Sequence, residues 1–435
     1  MRHPQQPARG AGLWVGILYF MTAVLVAEQP EKNRLEGYVG GPYKVLVANF
    51  AGDKHLDILL GYHALGVLEV EQGDGTGAFS GLSLNDFSDR NRQLNTDDKS
   101  WSVPHIHNMA TSDINQDGNL DVVFSVGGDS RLRPGRVVIA RGDGKGGFTR
   151  MVEYATPSQA KGVRFGDLDQ DGTLDLLYTA RGSGYENDLT VGRLYIRRGQ
   201  GGGTFGPAIE SPAGKSAYYI ELSDLDNDSF PDILVPNEHD SCVTCFINPG
   251  TTVFSDNRPL SPRKVITSQI PGRRSHAVND VRAADFDGDG NQDLLTANLG
   301  TSTVSIFPGK GDGTFEKDVI LEAGKNGAFL ATADFDNDGD MDFVITHWTE
   351  DFASVFLNRG DGTFADRTDH RTGMGNYGVD VADLNGDGHP DIVTANYRDR
   401  SMSLLRGIGD GRFKETMTTS QSLRCFQGRW IPATP

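Results

Sequence analysis

The stretch Asp285-Phe286-Asp287-Gly288-Asp289-Gly290-Asn291-Gln292-Asp293 decides how this chain is read. Carboxylates stand at its positions 1, 3, 5 and 9, and the glycine at position 6 marks a sharp turn. Hard oxygen ligands at alternate positions, followed by a turn that brings a last carboxylate back, wrap one Ca²⁺. The pattern begins again at Asp113, Asp167, Asp224, Asp334 and Asp383, giving six full copies. A single copy is a moderate signal; six at quasi-regular spacing are a strong one.

In each copy the expected ligands are the side chains at positions 1, 3, 5 and 9 and the backbone carbonyl of position 7. They are Asp113, Asn115, Asp117, Asn119 and Asp121 in the first, and Asp167, Asp169, Asp171, Thr173 and Asp175 in the second. Asp224, Asp226, Asp228, Phe230 and Asp232 follow, then Asp285, Asp287, Asp289, Asn291 and Asp293. The last two sets are Asp334, Asp336, Asp338, Asp340 and Asp342, and Asp383, Asn385, Asp387, His389 and Asp391. Ser229 replaces the turn glycine in one loop, at a left-handed cost of about 1 kcal/mol that calcium offsets. A degenerate seventh copy has Asn49, Ala51, Asp53 and Asp57 at the ligand positions and Lys54 at the turn, so no tight calcium is expected there. None of the loops carries the Glu at position 12 of an EF-hand.

These loops account for most of the acidity. The formal charge is −18, and 22 of the 24 positions 1, 3, 5 and 9 in the six full loops are Asp. Loss of Arg2 and Arg9 with a leader makes the charge −20, and the positive charge of six Ca²⁺ would bring it to about −8, ordinary for a soluble protein. Nucleic acid is an unsuitable partner, because no basic stripe exists to receive it. Residues 1–27 read as a secretory signal peptide, with a basic start, an apolar run from Leu13 to Val26 and Ala27 at the cleavage site. Residues 28–36 read as a linker. The expected location is secreted, extracellular or periplasmic, with no stable membrane insertion after cleavage.

Counting from the first loop position, repeats start at residues 49, 113, 167, 224, 285, 334 and 383. Each runs through a short alternating segment, the Asp loop, an apolar run such as Asp391-Ile392-Val393-Thr394-Ala395, and a further strand such as Thr303 to Phe307. A Gly-rich turn with Phe, as in Gly311-Asp312-Gly313-Thr314-Phe315, leads to a last extended stretch. That is four short strands per unit and little room for a helix. Units of this size cannot bury their own faces; stacked radially, seven of them close a propeller. The expected fold is therefore all-β, a seven-bladed β-propeller of four-stranded antiparallel blades over residues 37–420, with a tail at 421–435. Whether residues 31–40 or the tail completes a terminal blade stays open.

The recurrence of the Asp loop with the Gly-rich Phe turn resembles the FG-GAP (VCBS) repeat, the unit of the seven-bladed propeller in integrin α chains. The resemblance implies a calcium-stiffened propeller with the metal loops on one face and a partner, protein or glycan, on the other. That other face is built from the connections between second and third strands and between units, and its candidate contacts are Arg131, Arg133, Tyr185, Glu186, His239, Trp348, Tyr397 and Arg398. Residues 84–101 form a long polar insertion.

Several motifs are explained by the repeat. Arg141-Gly142-Asp143 and Arg359-Gly360-Asp361 fall in the Gly-rich turn. Cys245 of the Cys242/Cys245 pair stands in the same column as Val70, Ile139, Ile196, Ile306, Val355 and Leu404 and reads as buried core; Cys425 lies in the tail. Arg164, Glu221, Arg282 and Asp380 each precede a loop by three residues and read as a paired channel lining. His105 and His107 sit at i and i+2, a transition-metal spacing with no third ligand in view.

The sequence holds no GxSxG elbow, HExxH helix or phosphate loop, which favours a non-catalytic, adhesion-like binding module. A calcium-dependent polysaccharide-degrading enzyme, by resemblance to lyases built on similar propellers, is the alternative. It requires His107, Lys161, His276 and Tyr377 to converge at one channel mouth. A purely structural surface component is the third reading.

Overall fold

The computed structural model describes residues 41–63, 66–87, 105–127, 135–182, 191–250, 259–266, 277–420, 423–426 and 429–432. The expected signal peptide and linker lie outside the described residues, as do Arg131, Arg133, Tyr185, Glu186, His276 and most of the polar insertion. Among the described residues no helix is long and apolar enough to cross a membrane.

Twenty-eight strands form seven four-stranded antiparallel sheets, each from one contiguous segment and each ordered as in the chain. The first blade is β1 (Pro42–Ala48), β2 (Asp57–Tyr62), β3 (Val67–Gly73) and β4 (Phe79–Asp86); the second is β5 (His105–Ser112), β6 (Asp121–Gly127), β7 (Gly135–Gly142) and β8 (Phe148–Thr156). The third comprises β9 (Ala160–Gly166), β10 (Asp175–Ala180), β11 (Val191–Gly199) and β12 (Phe205–Lys215). The fourth comprises β13 (Glu221–Ser223), β14 (Asp232–Asn237), β15 (Cys242–Phe246) and β16 (Pro262–Ile266). Blade five is β17 (Ala277–Ala284), β18 (Asp293–Leu299), β19 (Thr303–Phe307) and β20 (Val319–Glu322), and blade six is β21 (Gly327–Ala333), β22 (Asp342–His347), β23 (Phe352–Phe356) and β24 (Thr368–Arg371). Blade seven is β25 (Asn376–Ala382), β26 (Asp391–Asn396), β27 (Ser401–Gly407) and β28 (Phe413–Ser420). Among the described residues no strand is exchanged between the termini: β28 completes blade seven and β1 opens blade one. The two blades meet where the Val47 amide donates to Asp380 Oδ2 at 2.8 Å and the Gly41 amide to the Tyr397 carbonyl at 3.1 Å. The tail holds a separate hairpin, β29 (Leu423–Phe426) and β30 (Arg429–Pro432).

The second strands are continuous apolar runs because both their faces are covered by neighbouring blades. On β6, Val122, Phe124 and Val126 enter the core shared with blade one, whereas Val123 enters the core shared with blade three. On β22, Phe343 and Ile345 face blade five and Val344 faces blade seven. Cys245 is fully buried in the core between blades four and five, and burial pushes its thiol pKa up; Cys242 is also buried.

The ninth loop residue has a structural task in all seven blades. In blade five, Asp293 Oδ2 accepts the Phe286 amide at 2.9 Å and Oδ1 accepts the Gly309 amide at 2.7 Å. Asp57 does the same for Phe50 and Gly73 at 2.7 and 3.0 Å, although its loop is the degenerate one. Asp121, Asp175, Asp232, Asp342 and Asp391 repeat the pattern. One buried carboxylate thus ties the loop to the end of the third strand. The Gly-rich turn of the next blade then caps the loop: Gly362 donates to the Phe286 carbonyl at 3.0 Å and Gly411 to Phe335 at 3.1 Å. Both Arg-Gly-Asp triplets are consumed in such turns. Arg141 pairs with Asp117, Asp143 Oδ1 accepts the Lys145 and Gly147 amides, and Asp361 Oδ1 accepts the Thr363 amide.

The inner strands carry a paired belt of charge. Arg282 lies 2.9 Å from Asp280 and 3.6 Å from Glu221, which Arg164 approaches at 3.4 Å. Lys44, seated over the Phe329 ring at 4.5 Å, is buried on the same inner strands, and burial lowers its pKa to about 8 against the attraction of Asp280 and Asp380.

Two stability predictions follow from this frame. Asp57→Ala strands two buried amide donors, so it should cost about 2–4 kcal/mol, whereas exposed Asp53→Ala should stay within about 0.5 kcal/mol. Urea midpoints measured side by side check this; equal midpoints would remove the tie from the account. Lys44 titrates near 8 when folded and near 10.5 when unfolded, so the unfolded chain binds the extra proton between these values and stability rises with pH there. Lys44→Met should lose that part of the rise, read as a smaller gain in urea midpoint from pH 8 to 10 than in the parent chain.

Candidate functional site

The six carboxylate loops share one face of the ring. At position 1, Asp285 accepts the amide of Gly290 (2.9 Å), and position 5 accepts that of position 7, as Asp289 does from Asn291 (2.8 Å). This folds the loop around its own carboxylates. Position 6 is left-handed throughout, including Ser229 at φ 74° and Lys54 at φ 80°. At Gly290, with φ 88°, an added Cβ would meet nothing, so backbone conformation and not space selects glycine there. Position 4 is left-handed too, at Gln116, Gln170, Asn227 and Asn337, a strain the sequence reading missed. Those side chains link neighbouring loops: Gln170 Nε2 donates to the Ser229 carbonyl at 2.6 Å, and Asn227 Nδ2 to Asn291 Oδ1 at 3.0 Å. Asn227 is thus engaged in an interblade contact.

Three carboxylates gather within 4.8 Å in four loops: Asp167, Asp169 and Asp171; Asp224, Asp226 and Asp232; Asp285, Asp287 and Asp289; Asp334, Asp336 and Asp342. Burial raises the position-3 carboxyls of Asp169, Asp226, Asp287 and Asp336, and the carboxylates of their own loops add to it. Asp226 Oδ1 is buried and accepts no hydrogen bond. A divalent cation would answer both the orphan oxygen and the crowding of like charge, so the donor set fits a hard ion. The loops are not equivalent. Arg198 pairs with Asp169 and lies 3.4 Å from Asp171, and Arg141 holds Asp117. In the first full loop Asn115 Nδ2 faces Asp121 Oδ2 at 3.0 Å.

The opposite end of the channel is built from two columns. The residue six places before each loop is Tyr43, His107, Lys161, Tyr218, Asn279, Ala328 or Tyr377. At this point the inner strand is irregular: Ile106 pairs with Val126 and Asn108 with Ser125, leaving His107 between them; Pro42 and Lys44 flank Tyr43 in the same way. Such bulges re-aim side chains. The second column, six residues after the last loop Asp, is His63, Gly127, Arg181, Glu238, Leu299, Trp348 and Tyr397.

These columns meet. The Tyr43 ring lies 4.0 Å from Tyr377 and stacks on His63 at 4.7 Å; the Tyr218 and Tyr377 hydroxyls are 3.5 Å apart. Lys161 Nζ lies 3.2 Å from His107 Nε2 and 5.0 Å from the Tyr218 ring centre, and burial lowers its pKa to about 7. Half-buried Trp348 stacks on Tyr397 at 5.3 Å, meets Tyr377 edge-on at 5.0 Å and carries the exposed Arg398 guanidinium 5.4 Å above it. His239 joins Arg181 at 2.9 Å, and Arg181 pairs with Glu238 at 2.8 Å. Of the expected ligand-face residues, Trp348, Tyr397 and Arg398 thus form one patch, with His239 on the Arg181–Glu238 side. His107, Lys161 and Tyr377 do converge. Sequence reasoning missed Tyr43, His63 and Tyr218, which the two column offsets would have found.

Comparison with known proteins agrees with this architecture. The FG-GAP-like repeat model matches residues 113–178, 285–345 and 346–394. The chain is 27% identical to integrin alpha-7 of Mus musculus over 199 residues, 43% of this chain and 16% of the integrin, so the match spans a small part of that relative. A putative 6-phosphogluconolactonase of Bacteroides fragilis superposes with a TM-score of 0.56 at 14% identity, covering 83% of this chain and 94% of that one. A periplasmic gluconolactonase of Pseudomonas aeruginosa gives 0.55 at 12% identity, covering 87% and 96%. At such identities the likeness shows the fold alone. The chain carries FG-GAP-like repeats and folds them into a seven-bladed β-propeller.

Proposed function

We propose that this chain is a secreted, calcium-binding propeller, extracellular or periplasmic, that recognises a protein or glycan partner in the manner of an adhesion module and does no chemistry on it. The observation that carries the reading is the Trp348–Tyr397 platform under Arg398, at the channel mouth away from the acidic loops. Flat aromatic faces beside a guanidinium supply large, stiff contact area with a polar handle, the composition of binding hot spots. The integrin relative supports the same role. Calcium in the loops is the second part of the proposal, supported by the gathered carboxylates and the orphan oxygen of Asp226.

One observation favours the enzyme reading. The Lys161–His107 pair beneath Tyr218 offers an amine whose pKa burial lowers to about 7 beside an imidazole that burial and the Lys161 charge push well below its usual range, a donor–acceptor couple apt for proton transfer on a sugar chain.

Two measurements separate these readings. In millimolar calcium, the protein without its leader should be retained by members of a panel of polysaccharides and extracellular proteins. Trp348→Ala with Tyr397→Ala should weaken retention at least tenfold, and no shortened sugars should appear. Shortened oligosaccharides, lost in Lys161→Met while retention persists, would replace binding with catalysis; no retention at all would sink both. For the metal, sites of about 10⁻⁴ M at about 1 mM Ca²⁺ contribute about 1.4 kcal/mol each. EDTA should therefore lower the melting temperature well beyond an ionic-strength control. Asp287→Asn should lose one calcium equivalent by calorimetry and Asp53→Asn none. A melt unmoved by EDTA would refute the assignment.

A further inference from the structure

Position 4 of each loop lies between the ligand positions 3 and 5, and in three blades it carries a strain that the loop itself does not need. The backbone there is left-handed at Gln170 (φ 55°), Asn227 (φ 60°) and Asn337 (φ 60°). Gly288 and Gly386 hold the same place at φ 75° without the cost that a side chain brings. In these three blades the side chain reaches across the seam to the next loop. Asn227 Nδ2 donates to Asn291 Oδ1 at 3.0 Å and lies 3.5 Å from the Gly311 carbonyl. Asn337 Nδ2 repeats this arrangement, donating to His389 Nδ1 at 2.9 Å and to the Gly409 carbonyl at 3.2 Å. Asn291 and His389 both occupy position 7, and each gives its backbone amide to the position-5 carboxylate of its own loop, Asp289 or Asp387. Blade four has Phe230 at position 7, with no side-chain acceptor, so Gln170 takes the Ser229 carbonyl one residue earlier, at 2.6 Å.

The seams differ in this respect. Glycine at position 4 leaves the seams from blade five to six and from seven to one without such a link, and Gln116 makes none among the described residues. The six full loops are thereby divided into a run of three, starting at Asp167, Asp224 and Asp285, a pair starting at Asp334 and Asp383, and a single loop at Asp113. We infer that the position-4 amides couple neighbouring loops, so that a divalent cation in one raises the affinity of the next within the run and within the pair. The inference rests on the calcium reading of the loops. An ion in the Asp285 loop would fix Asn291 beside Asp289, and Asn291 would then hold Asn227 between Asp226 and Asp228, next to the buried Asp226 oxygen that accepts no hydrogen bond. Part of the ordering cost is then shared by both loops, so the second ion binds more tightly, and by linkage the effect is mutual. One neutral hydrogen bond per seam sets the scale at about two- to tenfold in affinity.

The test titrates Ca²⁺ into the whole leader-free chain, isotopically labelled, and follows by NMR the position-6 amides, which report one loop each. Asp287→Asn disables the Asp285 loop; it should raise the Ca²⁺ midpoint at Ser229 about two- to tenfold and leave Gly339, Gly388 and the unlinked Gly118 where they were. Asn227→Gly keeps the left-handed backbone, as Gly288 does, and removes only the link. In that background Asp287→Asn should leave the Ser229 midpoint where Asn227→Gly alone sets it. Asn337→Gly with Asp387→Asn should behave in the same way at Gly339 and spare Ser229. A cross-effect of equal size with and without Asn227, or none in the parent chain, would overturn the coupling while calcium binding stands. Amides that Ca²⁺ does not move would instead remove the calcium reading, and the coupling with it.

Discussion

Seven buried carboxylates, one per blade, fix the geometry on which everything else depends. Each accepts at least two backbone amides, one from the start of its loop and one from the end of the third strand, and Asp57 also takes the Ala51 amide. A carboxylate is required because both its oxygens must accept; an amide would offer one acceptor and aim N–H groups at a donor. Blade one separates this task from the gathering of carboxylates in the other loops. Asp57 keeps both bonds although Ala51 and Lys54 have removed the loop's other credentials. The ninth residue is thus a framework element first, and six blades surround it with further carboxylates.

What every repeat shares belongs to the frame, and what differs from repeat to repeat belongs to the site. At the loop end, the bonding pattern of positions 1, 6 and 9 scarcely changes. At the mouth end, the residue six places before the loop is Tyr, His, Lys, Tyr, Asn, Ala or Tyr. A shared backbone irregularity presents seven different chemistries toward one axis. The bulge supplies the direction and the repeat number supplies the identity, which is how a symmetric fold acquires an asymmetric cluster of side chains.

The fold was legible because its signals are local and periodic: nine-residue loops, four strands, a closing turn. The buried column through Cys245 and the pairing of Arg164, Glu221 and Arg282 were readable for the same reason. Left-handed backbone at Gln116 and Gln170 was hidden, since glycine marks that conformation only at Gly52, Gly288 and Gly386. The mouth was only half legible. Trp348, Tyr397 and His239 follow from strand order, but Tyr43 meeting Tyr377 depends on blade one closing against blade seven, and His63 meeting His105 depends on blades one and two packing side by side. Such neighbours are distant in the chain, and only the closed ring specifies them.

The charged belt between the two ends constrains how they communicate. Arg282 with Asp280 and Glu221, Arg164, Lys44 and Asp380 form a largely paired layer across the inner strands. A cation bound in the loops would lie on the far side of this layer from Trp348 and its neighbours. Its influence must pass through the strands, by holding the loop end of β25 or β5 still while the bulge at Tyr377 or His107 presents its side chain. Charges paired in this way transmit position better than potential, because each is already neutralised by its partner. Were a ligand to bind at the aromatic mouth, a change at the acidic face would reach it through the inner strands that join the two ends.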